Sequence, residues 1–475
     1  MASERRSRSI CQVPSPMRGT GRRALAVVTM VEGMYHAPPM RGRLLPVRWR
    51  VVGVAMTVAL WACRPASDGA GRDPRPGTVD TDSSEQVGGP APPVAVFPDD
   101  GGPLAPALTR VGERGEGLGE RLAEAAESCA NCHAEVVAQW QSSAHAAASF
   151  DNPLYRVSVE RFRLAQGNEA SRMCAGCHDI ALLVDGAMDE PVKPDDPRAH
   201  AGVSCMVCHG IVDVRPDGNG SFDLHGDDPA IPLRDDPASL RAHRARMAGA
   251  SLQTAGLCGT CHRSFLSNET GHDHHIPGAD DYGAWRRSIY AGSAVDRVDA
   301  VSAPRGCADC HMPRVAAPLG DSAAEDGLVR SHRFPGAHTW LAAMQGDEAQ
   351  RRASEEMLKK AATLRVSALR RAGGEVVLPA ADARVAPGEE LTLEVVIRNV
   401  GVGHRFPGGT LDAVDAWIEV TVRDAHGDTI GSAGERWKEG VADDSLHRLH
   451  ATVLDEEGRP VLGRAIERFR APGYD

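Results

Sequence analysis

The sequence predicts a mainly α-helical unit with much irregular loop, followed by a helix and a small β-sandwich-like C-terminal domain. The chain has 475 residues, 42% of them hydrophobic and 25% charged, which predicts more than one compact unit. Aromatic residues make up only 4%, so the interior must be filled by aliphatic side chains or by something other than amino acids. The C-terminal third instead alternates apolar and polar residues, which is typical of half-buried strands.

The first 62 residues are predicted to be a leader, in which 1–39 are a spurious extension and 40–62 a lipoprotein-type signal peptide. The basic segment Arg41–Arg50 precedes an apolar run of 12 residues, Val51–Ala62, that is too short to span a bilayer. The sequence that ends at Cys63 resembles a bacterial lipobox, in which that cysteine is acylated. Cleavage nearby without lipidation is the alternative. We therefore expect an exported protein, periplasmic or bound to the outer membrane of a Gram-negative-type bacterium.

Residues 63–120 are predicted to form a flexible tether. Between Arg64 and Pro103 there are 15 Gly and Pro residues in 40, with no periodicity that would bury a face. The formal charge of the whole chain is −11, and no basic stripe accompanies it. The charge therefore argues against a nucleic-acid partner and favours partners with basic docking surfaces.

Five copies of the pentapeptide Cys-x-x-Cys-His contain ten of the twelve cysteines. About 0.01 copies are expected by chance in a chain of this length and composition. In chain order we call them the first to fifth motifs. Their cysteines are Cys129, Cys132, Cys174, Cys177, Cys205, Cys208, Cys258, Cys261, Cys307 and Cys310, and their histidines are His133, His178, His209, His262 and His311.

The spacing within the motif has a chemical reason. Two thiols three residues apart can add to the two vinyl groups of one haem, and the adjacent histidine can then donate a ring nitrogen to the iron. Zinc knuckles, redox dithiols and structural disulfides also use cysteine pairs, but none of them requires a histidine after every second cysteine. The sequence therefore predicts five covalently bound haem c groups in a haem-cored unit at residues 121–345. Their macrocycles would supply the apolar surface that the scarce aromatic residues do not.

A second histidine is predicted to occupy the sixth coordination position of most irons. The distal candidates are His145, His225, His243, His332 and His404. His332 and His404 each begin the repeated pentapeptide His-Arg-Phe-Pro-Gly, whose arginine we expect near a haem propionate and whose phenylalanine we expect against the ring. His338 competes with His332, and a turn residue that binds nothing is the alternative for His404. His200 and the triplet His272, His274 and His275 are left open between ligand and polar surface.

The C-terminal third is predicted to begin with an amphipathic helix at 346–372, for which Asp347 is a suitable N-cap. A β-rich domain follows at 373–475, with strands at Glu375–Leu378, Leu391–Asn399 and Ala416–Arg423. We expect this domain to be incomplete, because no closing element follows its last strand pattern.

The order of these motifs resembles the multihaem c-type cytochromes of the cytochrome c-554-like family. The resemblance covers about residues 125–345 and includes Trp140-x-x-Ser143-x-His145 after the first motif and Met312-Pro313 after the fifth. Val400–Pro407 resembles a β domain often appended to such cytochromes. The resemblance implies haems stacked in near-parallel and near-perpendicular pairs, mostly bis-histidine irons and an electron carrier. The family includes a tetrahaem carrier that takes electrons from hydroxylamine oxidoreductase. This sequence differs from it in having a fifth motif and the β domain, so the haem order and the partner enzyme of that carrier do not transfer.

The sequence favours a pentahaem cytochrome that transfers electrons between redox proteins of the cell envelope, with membrane attachment at Cys63. The alternative is a multihaem oxidoreductase that acts on nitrite, hydroxylamine or a related nitrogen compound at one open-site haem. A scaffold within a larger cytochrome complex is a third hypothesis. No catalytic side chains are predicted, and the number of irons without a second ligand discriminates between the first two hypotheses.

Overall fold

The computed structural model describes residues 24–34, 104–112, 116–227, 231–233, 235–292, 303–378, 389–410, 412–424, 426–434, 447–461 and 464–474. Its helices are α1 (Leu118–Ala130), α2 (Ala134–Gln141), α3 (Pro153–Gln166), α4 (Arg172–Ala175), α5 (Ile180–Val184), α6 (Cys205–Gly210), α7 (Pro237–Met247), α8 (Ala255–Gly259), α9 (Asp281–Arg286), α10 (Cys307–His311), α11 (Thr339–Gln345) and α12 (Glu348–Leu358). None of the helices in these ranges has the length and apolar character needed to cross a membrane.

The strands are mostly short before residue 360 and longer after it. They are β1 (Ala24–Met34), β2 (Arg110–Val111), β3 (Ile211–Val214), β4 (Phe222–Leu224), β5 (Arg263–Leu266), β6 (Ile276–Asp280), β7 (Arg314–Ala316), β8 (Leu328–Arg330), β9 (Ala362–Arg371), β10 (Val376–Val377), β11 (Leu391–Asn399), β12 (Val414–Asp424), β13 (Thr429–Ala433), β14 (His447–Leu449), β15 (Ala451–Leu454) and β16 (Ala471–Tyr474).

Helix α1 organises the core of the N-terminal unit. Leu118, Leu122 and Ala125 recur at helical spacing and are buried against α5, α6 and β4. Gly119 allows α1 and α5 to approach closely, because a Cβ at that position would lie 2.1 Å from the carbonyl oxygen of Ala181. Helix α1 ends in the first motif, the second motif begins in the last turn of α4 and ends before α5, and the third forms α6. This core therefore fixes the first three motifs relative to one another.

The boundary between tether and haem unit was predicted too late in the sequence. Leu104 and Ala107 are buried in a core cluster with residues of α3 and α5, and the Thr109 hydroxyl donates a hydrogen bond to the Gly220 carbonyl at 2.8 Å. The apolar residues of this segment bury enough surface to order it, despite its prolines. Residues 104–112 thus belong to the haem unit, and Cys63 lies outside the described residues.

The helix predicted at 346–372 is less than half as long as expected. Asp347 is its N-cap, since its side chain accepts a hydrogen bond from the Gln350 amide at 2.8 Å, but α12 ends at Leu358. The rest of the segment forms β9, where the alternation of Leu364, Val366 and Ala368 with polar residues has a period of two. Pairing with β11 satisfies the backbone of β9 and outweighs the helix propensity of its Ala, Leu and Arg residues.

The C-terminal strands form two antiparallel sheets and a hairpin. One sheet has the order β10-β9-β11, the other has the order β1-β12-β13 with β14 also paired to β12, and β15 pairs with β16. Leu364 and Val395 of the first sheet share a buried cluster with Ile418 of the second. The predicted strands at 391–399 and 416–423 are present, the first with the predicted bounds. Strand β1, however, lies in the segment that the sequence assigned to a spurious extension, and it pairs with the whole of β12.

Replacing Phe222 with alanine should be among the most destabilising core substitutions in this unit. Its side chain is fully buried beside α1 and α6, so the substitution should lower the free energy of unfolding by about 3 to 5 kcal/mol. Leu164, which is 90% exposed on α3, provides the control, and its replacement by alanine should cost less than about 0.5 kcal/mol. Thermal denaturation of both holo-variants, followed by circular dichroism, tests this. Equal melting temperatures would contradict the packing described.

Candidate haem sites

Each motif folds as a single helical turn that brings its three reactive side chains together. In the first, second and fourth motifs the histidine amide donates a hydrogen bond to the carbonyl of the first cysteine, at 2.9, 3.0 and 2.7 Å. The third and fifth motifs lie within helices α6 and α10. The ten cysteines form no disulfide, so all their sulfurs are free to bind. The local geometry is thus the one that attachment of two thiols and one imidazole to the same macrocycle requires.

Four of the five motif histidines are oriented through Nδ1. The Nδ1 atoms of His178, His209 and His311 lie 2.7, 2.7 and 2.8 Å from backbone carbonyl oxygens, namely those of Ala148, Met247 and Pro335. His133 differs, because its Nδ1 lies 2.9 Å from a carboxylate oxygen of Asp321. Metal-bound histidines usually donate their second ring N–H in this way, which fixes the tautomer and leaves Nε2 for the metal. These four rings are therefore prepared to ligate iron through Nε2.

Four motif histidines each face a second imidazole. His133 and His243 have ring centroids 6.3 Å apart with planes inclined by 14°, and His209 and His332 are 6.5 Å apart at 16°. His311 and His404 are 6.3 Å apart at 16°, whereas His262 and His145 are 6.1 Å apart with nearly perpendicular planes, at 79°. The members of each pair come from distant parts of the chain. Four of the five predicted distal candidates are thus brought to a motif histidine.

The separation within these pairs fits one iron atom between two ring nitrogens. A histidine nitrogen lies about 2 Å from a bound transition metal and about 1 Å from its own ring centre, so two trans imidazoles have centroids about 6 Å apart. Direct stacking of two rings would place the centroids closer than this, as in the 4.2 Å contact between Tyr155 and His178. The gap between the paired imidazoles is therefore the gap that an axially ligated haem requires.

His145 is the most deeply buried of the distal candidates. Burial and, to a smaller extent, the neighbouring His262 lower the pKa of His145 to about 3. The imidazole is consequently neutral at physiological pH, which is the form that binds a metal. Phe334 of the first His-Arg-Phe-Pro-Gly repeat packs edge-on against His145, with centroids 4.4 Å apart. Although His145 follows the first motif in sequence, it faces the histidine of the fourth.

The second repeat holds His404 against the fifth motif from the β domain. His404 Nδ1 lies 2.8 Å from the carbonyl oxygen of Arg405, which again leaves Nε2 for a metal. The Gly409 amide donates to both carboxylate oxygens of Asp281, at 3.1 Å each, and so ties the loop to α9. A Cβ on Gly408 would lie 2.9 Å from the His404 ring, so only glycine leaves this imidazole its position.

No second imidazole faces His178 among the described residues. The ring of Tyr155 stacks on its flat face at 4.2 Å and 16°, which is too close to leave room for an iron between the two rings. The Tyr155 hydroxyl donates a hydrogen bond to Asp179, whose carboxylate is buried and also accepts from Ser149. Burial raises the pKa of Asp179 to about 6. The second motif thus differs from the other four in having no histidine opposite its own.

The prediction that His225 is a distal ligand is not supported. Its side chain lies in the loop after β4 and is 36% exposed, and its Nδ1 accepts a hydrogen bond from the Asp227 amide at 3.2 Å. His272 and His274 instead join the haem unit to the β domain, because their Nε2 atoms lie 2.9 and 3.0 Å from the carbonyls of Ile466 and Arg470. His338 heads α11 and is not paired with a motif histidine in the described ranges.

Two arginines near the paired histidines have buried guanidinium nitrogens without a hydrogen-bond partner in the described ranges. They are Arg333 Nη1 and Arg246 Nη2. Arg333 has only a loose ion pair, 3.8 Å from Asp347, and Arg246 lies one turn after His243 on α7. Buried guanidinium groups rarely lack partners, and haem propionates would satisfy both. The sequence indicated Arg333 but missed Arg246, whose only signal is its spacing of three residues from His243.

Thiols of different motifs lie next to each other. Cys129 and Cys205 are within hydrogen-bond reach, as are Cys177 and Cys261, and likewise Cys258 and Cys307. The first motif therefore adjoins the third, and the fourth adjoins both the second and the fifth. Cys208 of the third motif also interacts electrostatically with Cys261 of the fourth. The five motifs form one contiguous group with the fourth at its centre.

Turns that bring two thiols and an imidazole together, imidazoles oriented through Nδ1, and gaps between paired imidazoles that fit one iron are features of c-type cytochromes, a class that binds haem covalently and works in electron transfer. Residues 128–210, which contain the first three motifs, match the family model of cytochrome c554 and c-prime. The predicted resemblance is confirmed, and this segment is cytochrome c554-like. No curated protein and no solved structure matches the chain.

Proposed function

We propose that the chain is an exported pentahaem c-type cytochrome that transfers electrons between redox partners of the cell envelope. The observation that carries the proposal is the set of four imidazole pairs with centroids 6.1 to 6.5 Å apart. Bound haem supplies an iron centre that gains and loses one electron. Two imidazole ligands fill both axial positions of such an iron, which suits it to electron transfer rather than to binding a substrate.

The contacts between motifs support close packing of the haems. Each motif has a thiol beside a thiol of another motif, and the fourth motif adjoins the second and the fifth and interacts electrostatically with the third. Cofactors attached at such neighbouring turns lie within a compact unit, so an electron has a short path between any two of them. With histidine and no methionine opposite the proximal ligands, low reduction potentials are expected.

Export and membrane attachment are part of the proposal and rest on the sequence alone. Covalent haem attachment takes place outside the cytoplasm, in agreement with the predicted signal peptide at 40–62. We propose that the mature protein begins at Cys63, is held to a membrane by lipid on that cysteine, and docks with other redox proteins there. Its acidic composition, with a formal charge of −11 for the whole chain, favours basic docking surfaces on those partners.

A second candidate function is supported by the second motif. Since no imidazole faces His178 in the described ranges, an iron held there would retain a position for a small molecule. The carbonyl of Ala148 orients the His178 ring, and the stacked Tyr155 restricts its rotation. This arrangement would suit an oxidoreductase that acts on nitrite, hydroxylamine or a related nitrogen compound. The two functions are compatible, because the other four sites would supply or remove electrons.

The spin states of the purified ferric protein test both proposals. Protein matured in a host with c-type haem assembly should contain five haems, four of them low-spin and one high-spin, by electron paramagnetic resonance. Cyanide should convert the single high-spin signal to low-spin and leave the others unchanged. A fully low-spin protein would remove the candidate substrate site, whereas three or more high-spin irons would contradict the imidazole pairs. Reoxidation of the reduced protein by nitrite or hydroxylamine with repeated turnover would favour the oxidoreductase over the carrier.

A further inference from the structure

The first motif is distinguished by the acceptor that orients its own histidine. Its histidine, His133, has a carboxylate oxygen of Asp321 2.9 Å from Nδ1, whereas His178, His209 and His311 have neutral backbone carbonyls at that position. The Asp321 side chain is fully buried, at 0% exposure. A buried carboxylate that faces a metal-binding imidazole is a costly feature, which points to a function beyond packing.

Backbone amides hold Asp321 in place. Its carboxylate accepts hydrogen bonds from the amides of Ala323 at 2.8 Å and Val136 at 3.3 Å, and the next residue, Ser322, donates its amide to the Cys132 carbonyl at 2.9 Å. The loop between β7 and β8 is thereby held against the first motif through Cys132 and against α2 through Val136. In the described part of the chain His133 is the only ion-pair partner of Asp321, so no Lys or Arg neutralises its charge.

A charged acceptor changes the ligand more than a neutral one does. Hydrogen bonds to carboxylates are roughly twice as strong as those between neutral groups. A stronger bond at Nδ1 raises the basicity of Nε2, and a more basic ligand stabilises the ferric state relative to the ferrous state. Exposure of a haem to solvent also lowers its reduction potential, since water favours the more highly charged ferric state. Cys132 is the exposed cysteine of the ten, while the other nine are partly buried.

We propose that Asp321 sets the reduction potential of the iron bound by His133 and makes it the most negative in the protein. The proposal rests on the proposed function, in that it requires a haem at the first motif. It assigns Asp321 the role of a residue that positions and polarises the ligand, without contact with the iron. The first motif would then be the low-potential, solvent-facing end of the haem group.

The experiment compares Asp321→Asn with a matched loss of charge in the same loop. Asparagine keeps an oxygen for His133 Nδ1 but removes the negative charge. Glu325→Gln removes the same charge four residues later, from a side chain that is 77% exposed and paired with Arg314. Spectroelectrochemical titration of both holo-variants should show one midpoint potential shifted to more positive values in Asp321→Asn and none shifted in Glu325→Gln. The low-spin ferric signal of that one haem should change as well.

Three outcomes would overturn the proposal. One is an Asp321→Asn protein with unchanged potentials, and another is an equal shift of all haems, which would indicate a general field effect. The third comes from an independent measurement that remains informative if Asp321→Asn does not mature. In His243→Met, a methionine ligand should raise the reduction potential of the first-motif haem. The proposal requires that the haem whose potential changes is the one with the lowest potential in the unsubstituted protein. If the potential that changes belongs to a haem that is not the lowest in the unsubstituted protein, Asp321 does not have the proposed role.

The proposed function and this inference can fail separately. The haem content of the unsubstituted protein tests the first, because fewer than five covalent haems would contradict the pentahaem assignment whatever the potentials are. The order of the potentials tests the second, and it can be wrong in a protein that carries all five haems.

Discussion

Replacing both Cys307 and Cys310 with serine should reduce the covalent haem content from five to four. Serine cannot form the thioether bonds that attach haem c, so the fifth motif should lose its cofactor. This motif lies outside residues 128–210, the part of the chain that matches the cytochrome c554 family model. Intact-mass spectrometry and the pyridine haemochrome absorbance of the protein, normalised to peptide concentration, measure the change.

The control for this prediction is Ala308→Ser in the same pentapeptide. It adds a hydroxyl at a partly buried position but keeps both thiols, so all five haems should remain attached. Five haems in the double cysteine variant, or zinc instead of iron in the unsubstituted protein, would contradict the assignment of the motif. A variant with no haem at all would mean that the fifth haem is needed for the others to be incorporated. Replacing Cys129 and Cys132 with serine would then show whether loss of the haem at another motif has the same effect.

Replacing His404 with alanine should convert one further iron from low-spin to high-spin. His404 faces His311 at 6.3 Å, and its removal leaves the fifth-motif iron with one protein ligand. The share of high-spin iron should rise from one in five to two in five in the ferric protein. Electron paramagnetic resonance measures it, and the charge-transfer absorption of high-spin haem provides a second measurement.

His225→Ala is the matched control, because His225 was an equal candidate in the sequence but is partly exposed in the structure and forms no ring pair with a motif histidine in the described ranges. It should leave every spin state unchanged. If His404→Ala leaves all spin states unchanged while His225→Ala converts one iron to high-spin, the pairing described between the β domain and the fifth motif is wrong.

Covalent haem c attachment could be predicted from the sequence because that chemistry is local. An attachment site needs only two thiols, one for each thioether bond, and one imidazole for the iron within a single turn, and five residues encode that turn wherever it occurs. The strand at Leu391–Asn399 was predicted with its observed bounds for a similar reason, since alternation over nine residues is a local pattern. The predicted helix at 346–372 was wrong in its second half, where β9 forms. That strand depends on its pairing with β11, which lies about twenty residues later.

The pairing of the histidines could not be predicted, because it depends on where distant elements lie in space. His145 is twelve residues after His133 but faces His262, and His243 lies closer in sequence to the fourth motif yet faces His133 of the first. The buried Asp321 next to His133 is separated from it by 188 residues. Sequence spacing gave no signal for any of these contacts.

By itself the sequence determined that the chain carries haem c attachment motifs, because covalent attachment is encoded in contiguous residues. The tertiary structure alone decided which imidazoles face one another, that none faces His178 in the described ranges, and that a carboxylate lies beside His133. The physical reason is that axial ligation and hydrogen bonding depend on distances of a few ångströms between groups far apart in the chain. Only the packing of α1, α5 and α6 and the docking of the β domain fix those distances.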